Sequence, residues 1–175
     1  MTRLPISEYR IRERASVVSR NFFIVVVLLL LVSCADHGLS PIAEPPGFGG
    51  TITVKPPWAP PDSLFDLRVV AFRNNPPGNI LEEVANNRAL ISSRPLQFNV
   101  TTQEYKISAA DVSGTFKYIA VAQQYTDSIT SWKAVGIYST TGDWNNPSAI
   151  TLDGARFVPD VDITVDFYNL PPQPF

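Results

Sequence analysis

One cysteine and one histidine are all that this chain of 175 residues carries, and the two shortages remove whole classes of chemistry. A lone thiol, Cys34, leaves no internal disulfide and no cysteine-type zinc or redox centre. The single imidazole, His37, lies in a polar stretch with nothing packed around it to fix a tautomer. Ser-His-Asp, Cys-His and histidine-metal sites each need a positioned imidazole and are set aside together. No glycine-rich phosphate loop follows a predicted strand. A long apolar run is also missing. The most apolar segment, residues 22–32, would form a helix only about 16 Å long at 1.5 Å per residue, against a bilayer core of about 30 Å.

What is present begins with an export signal. Arg3, Arg10, Arg12, Arg14 and Arg20 outweigh Glu8 and Glu13 ahead of the apolar run, which ends on Leu31, Val32, Ser33 and Cys34. Charged, apolar and small-residue parts in that order make residues 1–33 a signal peptide. The last four residues resemble the bacterial lipobox, which implies lipid on Cys34 and cleavage before it. Each buried methylene contributes about 0.8 kcal/mol, so several acyl chains anchor firmly where one holds marginally. The expected membrane partner is therefore reached through Cys34. Ala35 stands where an aspartate would resemble an inner-membrane retention signal, so the expected location is the outer membrane or cell surface, facing periplasm or exterior. From Cys34 onward nine basic and fourteen acidic residues remain, a net charge of −5. Without a basic run this part has no electrostatic footprint for nucleic acid.

Residues 34–48, with Pro41, Pro45 and Pro46, read as a flexible tether, and residues 49–175 as one domain. Strands are predicted at 51–54, 65–73, 96–100, 104–108, 116–124, 132–138, 150–152 and 161–167, separated by Asp, Ser, Gly, Asn and Pro clusters. In the second, Phe65, Leu67, Val69 and Ala71 share the core face. In the last, Val161, Ile163, Val165 and Phe167 point inward, and a one-residue slip would bury Asp162 and Asp166. Ile80, Leu81 and Val84 recur at helical spacing behind Glu82 and Glu83, predicting one short helix over about 79–87 that covers a sheet edge. The expected fold is all-β, a single antiparallel β-sandwich with that helix in an inter-strand insertion.

The opening GTITV at 50–54, the glycine turn and aromatic strand GTFKYIAV at 114–121, and the closing VDITVDF at 161–167 resemble transthyretin-like, carboxypeptidase-regulatory-like β-sandwich modules. The resemblance spans roughly residues 49–169. It implies a transthyretin-like or immunoglobulin-like sandwich in a non-catalytic role at the cell surface, in scaffolding, adhesion or glycan-related settings. The helix-bearing stretch 74–95 departs from the shorter connections of such modules.

Among residues that could bear chemistry, Asp153, Asp160, Asp162 and Asp166 form the densest acidic group. Asp162 and Asp166 lie about 13 Å apart along a strand at 3.3 Å per residue, too far for one cation or for the roughly 5 to 10 Å of a glycosidase pair. No metal or cofactor is expected. Trp144, in a polar turn, and Trp58, among prolines, are candidate ligand contacts, since an indole face stacks on a sugar ring. For Trp144 the alternative is packing back onto the sandwich, and Trp132 reads as core. Lys55 and Asn169 flank the domain as an isopeptide pair would, with Glu104 as the carboxyl such a bond requires. The function expected is a lipid-anchored, non-catalytic binding or structural module with a protein or glycan partner, and not an enzyme. The alternative is a carboxylate-dependent glycan hydrolase or an accessory carbohydrate-binding module. Two acids facing each other in a cleft would favour the hydrolase.

Overall fold

A computed structural model of the chain describes residues 44–78, 80–86 and 88–173. The predicted signal peptide, Cys34, His37 and most of the predicted tether lie outside them. Ten strands and one α-helix are present among the described residues, and the expected all-β sandwich is what they form. They are β1 (Gly47–Val54), β2 (Asp66–Phe72), α1 (Ile80–Ala85), β3 (Ala89–Ile91), β4 (Thr102–Ser108), β5 (Ser113–Phe116), β6 (Tyr118–Gln124), β7 (Trp132–Ile137), β8 (Ile150–Asp153), β9 (Phe157–Val158) and β10 (Ile163–Val165).

One sheet runs β10-β1-β4, with β9 beside the start of β1; a second runs β3-β2-β6-β7; β5 and β8 form a ribbon. Pairing is antiparallel except where β9 and β10 meet β1, which is parallel, with Ile52 opposite Ile163 and Val54 opposite Val165. Alternation puts Phe48, Ile52 and Val54 of β1 against Leu67, Val69 and Ala71 of β2 and Ile119 and Val121 of β6 in one central core. The predicted inward face of the closing segment holds in full: Val161, Ile163, Val165 and Phe167 are all buried in that core.

The second sheet is buried on both faces. Val70, Phe72, Tyr118, Ala120, Ala134 and Ile137 form a smaller cluster on its outer side, covered by Ile80 of α1, Trp132 and Trp144. That is why β6 reads as an almost unbroken apolar run instead of an alternating one.

Several predicted strands differ. Phe65 is 51% exposed and precedes β2, with its N–H on Gln124 O at 3.0 Å. Residues 96–100 form no strand: Asn99 adopts φ 59°, although Leu96 still docks through its N–H on Leu67 O at 2.8 Å. The stretch 116–124 breaks at Lys117, whose N–H bonds Phe72 O at 2.9 Å. The break changes the parity, so Phe116 enters the central core while Tyr118, two residues on, enters the outer cluster. β1 begins at Gly47, two residues before the predicted domain boundary, and the N–H of Ala109 bonds Pro46 O at 2.8 Å.

Candidate functional site

The two sheets meet where β10 lies against the outer edge of β7. Asp166 N–H donates to Val135 O at 2.9 Å. Gly136 permits the approach, since a Cβ there would stand 2.3 Å from Thr164 O. Farther along the same edge the side chain of Gln173 does the work of a strand: its Oε1 accepts from Ala134 N–H at 2.9 Å and its Nε2 donates to Ala134 O at 3.0 Å. That bidentate amide ties the C-terminal tail alongside β7.

Over this seam lies an open cleft of about 770 Å³, within the range usual for small-molecule sites. Asp162 and Thr164 of the β10 segment face it, with Lys55 at one border. Its second wall is the tail, Asn169 to Pro172. The third is the loop 139–149 between β7 and β8, which contributes Asp143, Trp144 and Asn145.

That loop is closed at its base. Ser148 N–H bonds Tyr138 O at 2.9 Å, and Ser148 Oγ accepts from Thr140 N–H at 2.9 Å. At its tip Asp143 Oδ1 accepts from Asn145 N–H at 2.9 Å, and Gly142 takes φ 76° to complete the turn. Trp144 is thereby held half-buried against the outer cluster that contains Ile137 and Tyr118. It also lines a smaller pocket of about 190 Å³ beside the first, together with Tyr118, Asn75 and Pro147.

The carboxylates nearby are committed in part to the fold. Asp162 Oδ1 accepts from Thr51 N–H at 2.7 Å, and Asp166 Oδ1 accepts from the N–H groups of Tyr168 and Asn169 at 3.1 and 2.9 Å. Lys55 Nζ stands 3.9 Å from Asp166 Oδ2. Asp153 is tied to its own turn: the N–H of Ala155, then the Arg156 side chain and N–H, bring its carboxyl down to about 2. Burial raises the Tyr138 phenol, and Asp162 and Asp160 push it the same way. Tyr105 is raised further, by burial first and then by Asp162 and Tyr138, and its hydroxyl donates to Val161 O at 2.8 Å.

Of the two candidate tryptophans the cleft contains one. Trp144 lines it and also packs back on the sandwich, which is the second of the two alternatives. Trp58 lines neither pocket: its ring lies 5.2 Å from that of Phe167, against the central core. Trp132 packs on the outer cluster and donates from Nε1 to Ile129 O at 3.1 Å. Lys55 and Asn169 both border the cleft, but the Lys55 side chain is 57% exposed and turned to Asp166, whereas amide formation needs a desolvated amine. Sequence reasoning missed Asp143 and Asn145 as cleft residues, because only the fold brings the turn around Trp144 opposite the closing strand. It also missed Tyr118, whose buried hydroxyl has no hydrogen-bond partner among the described residues. Among the described residues no three acids or histidines converge as metal ligands would.

The chain is thus an all-β sandwich with an open, mixed-polarity cleft on the seam between its sheets. No protein-family model, no curated protein and no solved structure matches it.

Proposed function

We propose that this chain is an envelope lipoprotein, anchored through lipid on Cys34 at the outer membrane or cell surface, whose β-sandwich is a non-catalytic binding module. The observation that carries the binding reading is the cleft beside Trp144: about 770 Å³, walled by a loop and a tail that are each fixed by hydrogen bonds. A preformed recess of that kind binds without the cost of ordering its walls. The transthyretin-like resemblance of residues 49–169 and the acidic exported part agree with a surface role that excludes nucleic acid.

The hydrolase alternative has one observation in its favour, since Asp143 and Asp162 both line the cleft. Both are exposed, and each has an oxygen engaged by a backbone N–H. A carboxyl that works as a general acid is usually set in an apolar pocket, whereas these two stand in an open recess. The test is in-cell cross-linking of the intact lipoprotein, followed by recovery of what is attached. The binding reading expects envelope material on the wild type that Trp144→Ala loses. Equal recovery by a folded Trp144→Ala protein would refute the cleft as the binding site, and turnover of a glycan lost in Asp143→Asn and Asp162→Asn would establish the hydrolase instead.

A further inference from the structure

The wall of the cleft narrows the chemistry of its ligand. A peptide strand finds the β7 edge already taken at two residues there, since Ala134 is closed by Gln173 and Val135 O by Asp166. An anion is disfavoured as well. Asp143 and Asp162 line the recess, and Lys55, its one cation among the described residues, is turned to Asp166. The lining, an indole beside amides and carboxylates, suits a ligand that is uncharged, rich in groups that both donate and accept, and flat on one apolar face. We propose that the cleft takes a neutral oligosaccharide, with one ring laid on the indole of Trp144 and its hydroxyls bonded by Asn145, Asn169 and Asp162. The inference rests on the binding reading above and deepens it.

Each part of the site has a counterpart in a sugar. Ring C–H groups form a nonpolar face that an indole covers, and Trp144 is half-buried on a loop whose base and tip are hydrogen-bonded, so the platform is fixed before the ligand arrives. Hydroxyls need acceptors and donors together. Asp162 retains Oδ2, its other oxygen being held by Thr51, while Asn145 donates to Asp143 through one amide hydrogen and keeps its carbonyl. Asn169 adds a second amide from the opposite wall. The recess is open, which suits an extended chain whose ends continue into solvent.

The full-length lipidated chain in detergent micelles is titrated calorimetrically with gluco-, chito-, xylo- and galacto-oligosaccharides, and with oligogalacturonate as the anionic comparison. At least one neutral series should bind, and more tightly than the anion. Trp144→Ala should weaken that binding about tenfold or more, while Trp144→Phe, which keeps a flat ring, retains part of it. Asn169→Ala should weaken it about threefold to tenfold, the loss expected of one hydrogen bond, with an unchanged melting temperature. Asn169→Ala decides the matter alone if Trp144→Ala fails to fold. Absence of binding to every neutral series, preference for the anion, or full affinity in folded Trp144→Ala or Asn169→Ala would overturn the inference. If cross-linking still recovers a cleft-dependent envelope protein while no saccharide binds, the ligand class fails and the binding reading stands; if neither appears, both fall.

Discussion

Val165 and Trp144 stand within a few residues of the same seam and respond to opposite demands. Val165 is fully buried opposite Val54, so Val165→Asp places an unpaired charge in the central core. With domains stable by only about 5 to 15 kcal/mol, that variant is expected not to fold. Trp144→Ala removes a half-buried ring from the outer cluster and should cost about 1 to 2 kcal/mol. Thermal melts compare them; a Trp144→Ala protein as unstable as Val165→Asp would make the tryptophan purely a core residue. Tyr118→Phe tests the opposite sign. The hydroxyl it removes is buried without a partner among the described residues, so its loss should leave the melting temperature unchanged or raise it. A fall of several degrees would mean that the hydroxyl is engaged in the folded protein. Asp153 gives a pH signature: its carboxyl is depressed to about 2 in the folded chain by Ala155 and Arg156, against about 3.9 when unfolded. The stabilisation is present above the unfolded value and is lost as pH falls toward 2. Melts between pH 5 and pH 2 should show a shallower decline in Asp153→Asn than in the wild type.

Among the elements, the seam of β7 and β10 is sensitive to a single added atom. Gly136→Ala would set a Cβ 2.3 Å from Thr164 O, and the strands must part to admit it. A loss of about 1 to 3 kcal/mol in chemical denaturation is expected, as for other overpacked sites; an unchanged midpoint would show that the seam is compliant. Legibility differed sharply from element to element. The closing segment was readable because apolar residues alternate strictly with Asp162, Thr164 and Asp166 there, and burial of Val161, Ile163, Val165 and Phe167 follows from that alone. The helix was readable from its spacing and acidic first turn, since Ile80–Ala85 lies inside the predicted range. The break at Lys117 was not. Both halves of 116–124 are apolar and aromatic, and a strand covered on both faces carries no alternation to reveal where its parity changes. Residues 96–100 have strand composition, but Asn99 tolerates a left-handed backbone that interrupts it.

For the whole molecule, the anchor and the domain are separately testable. If Cys34 carries the lipid as proposed, Cys34→Ala should abolish fatty-acid labelling and leave an uncut precursor; equal labelling of the variant would refute the lipoprotein reading. The segment from Glu44 onward should fold alone as a monomer with a β-type circular dichroism spectrum. Glu44 is kept because its carboxylate pairs with Lys106, and Pro46 because its carbonyl holds Ala109. A helix-dominated spectrum would contradict the fold. At this scale the sequence located Trp144, its polar turn and the aspartates of the closing strand. It could not tell that they border one recess, because their meeting depends on which strand lies beside β7.

The amide of Gln173 has a practical consequence for anyone handling the protein. It occupies the N–H and C=O pair of Ala134, so the stretch of the β7 edge that β10 does not reach is stoppered by one side chain of the tail. Removing that stopper, by deleting residues 173–175 or by a C-terminal fusion that draws the tail away, uncovers a strand edge able to recruit another molecule of the same kind. Concentration-dependent self-association in sedimentation runs is the expected outcome, and a truncated chain that stays monomeric would show that the edge is guarded by other means. Affinity tags and fluorescent reporters are better inserted into the exposed loop at residues 127–130, on which neither the stopper nor the cleft depends.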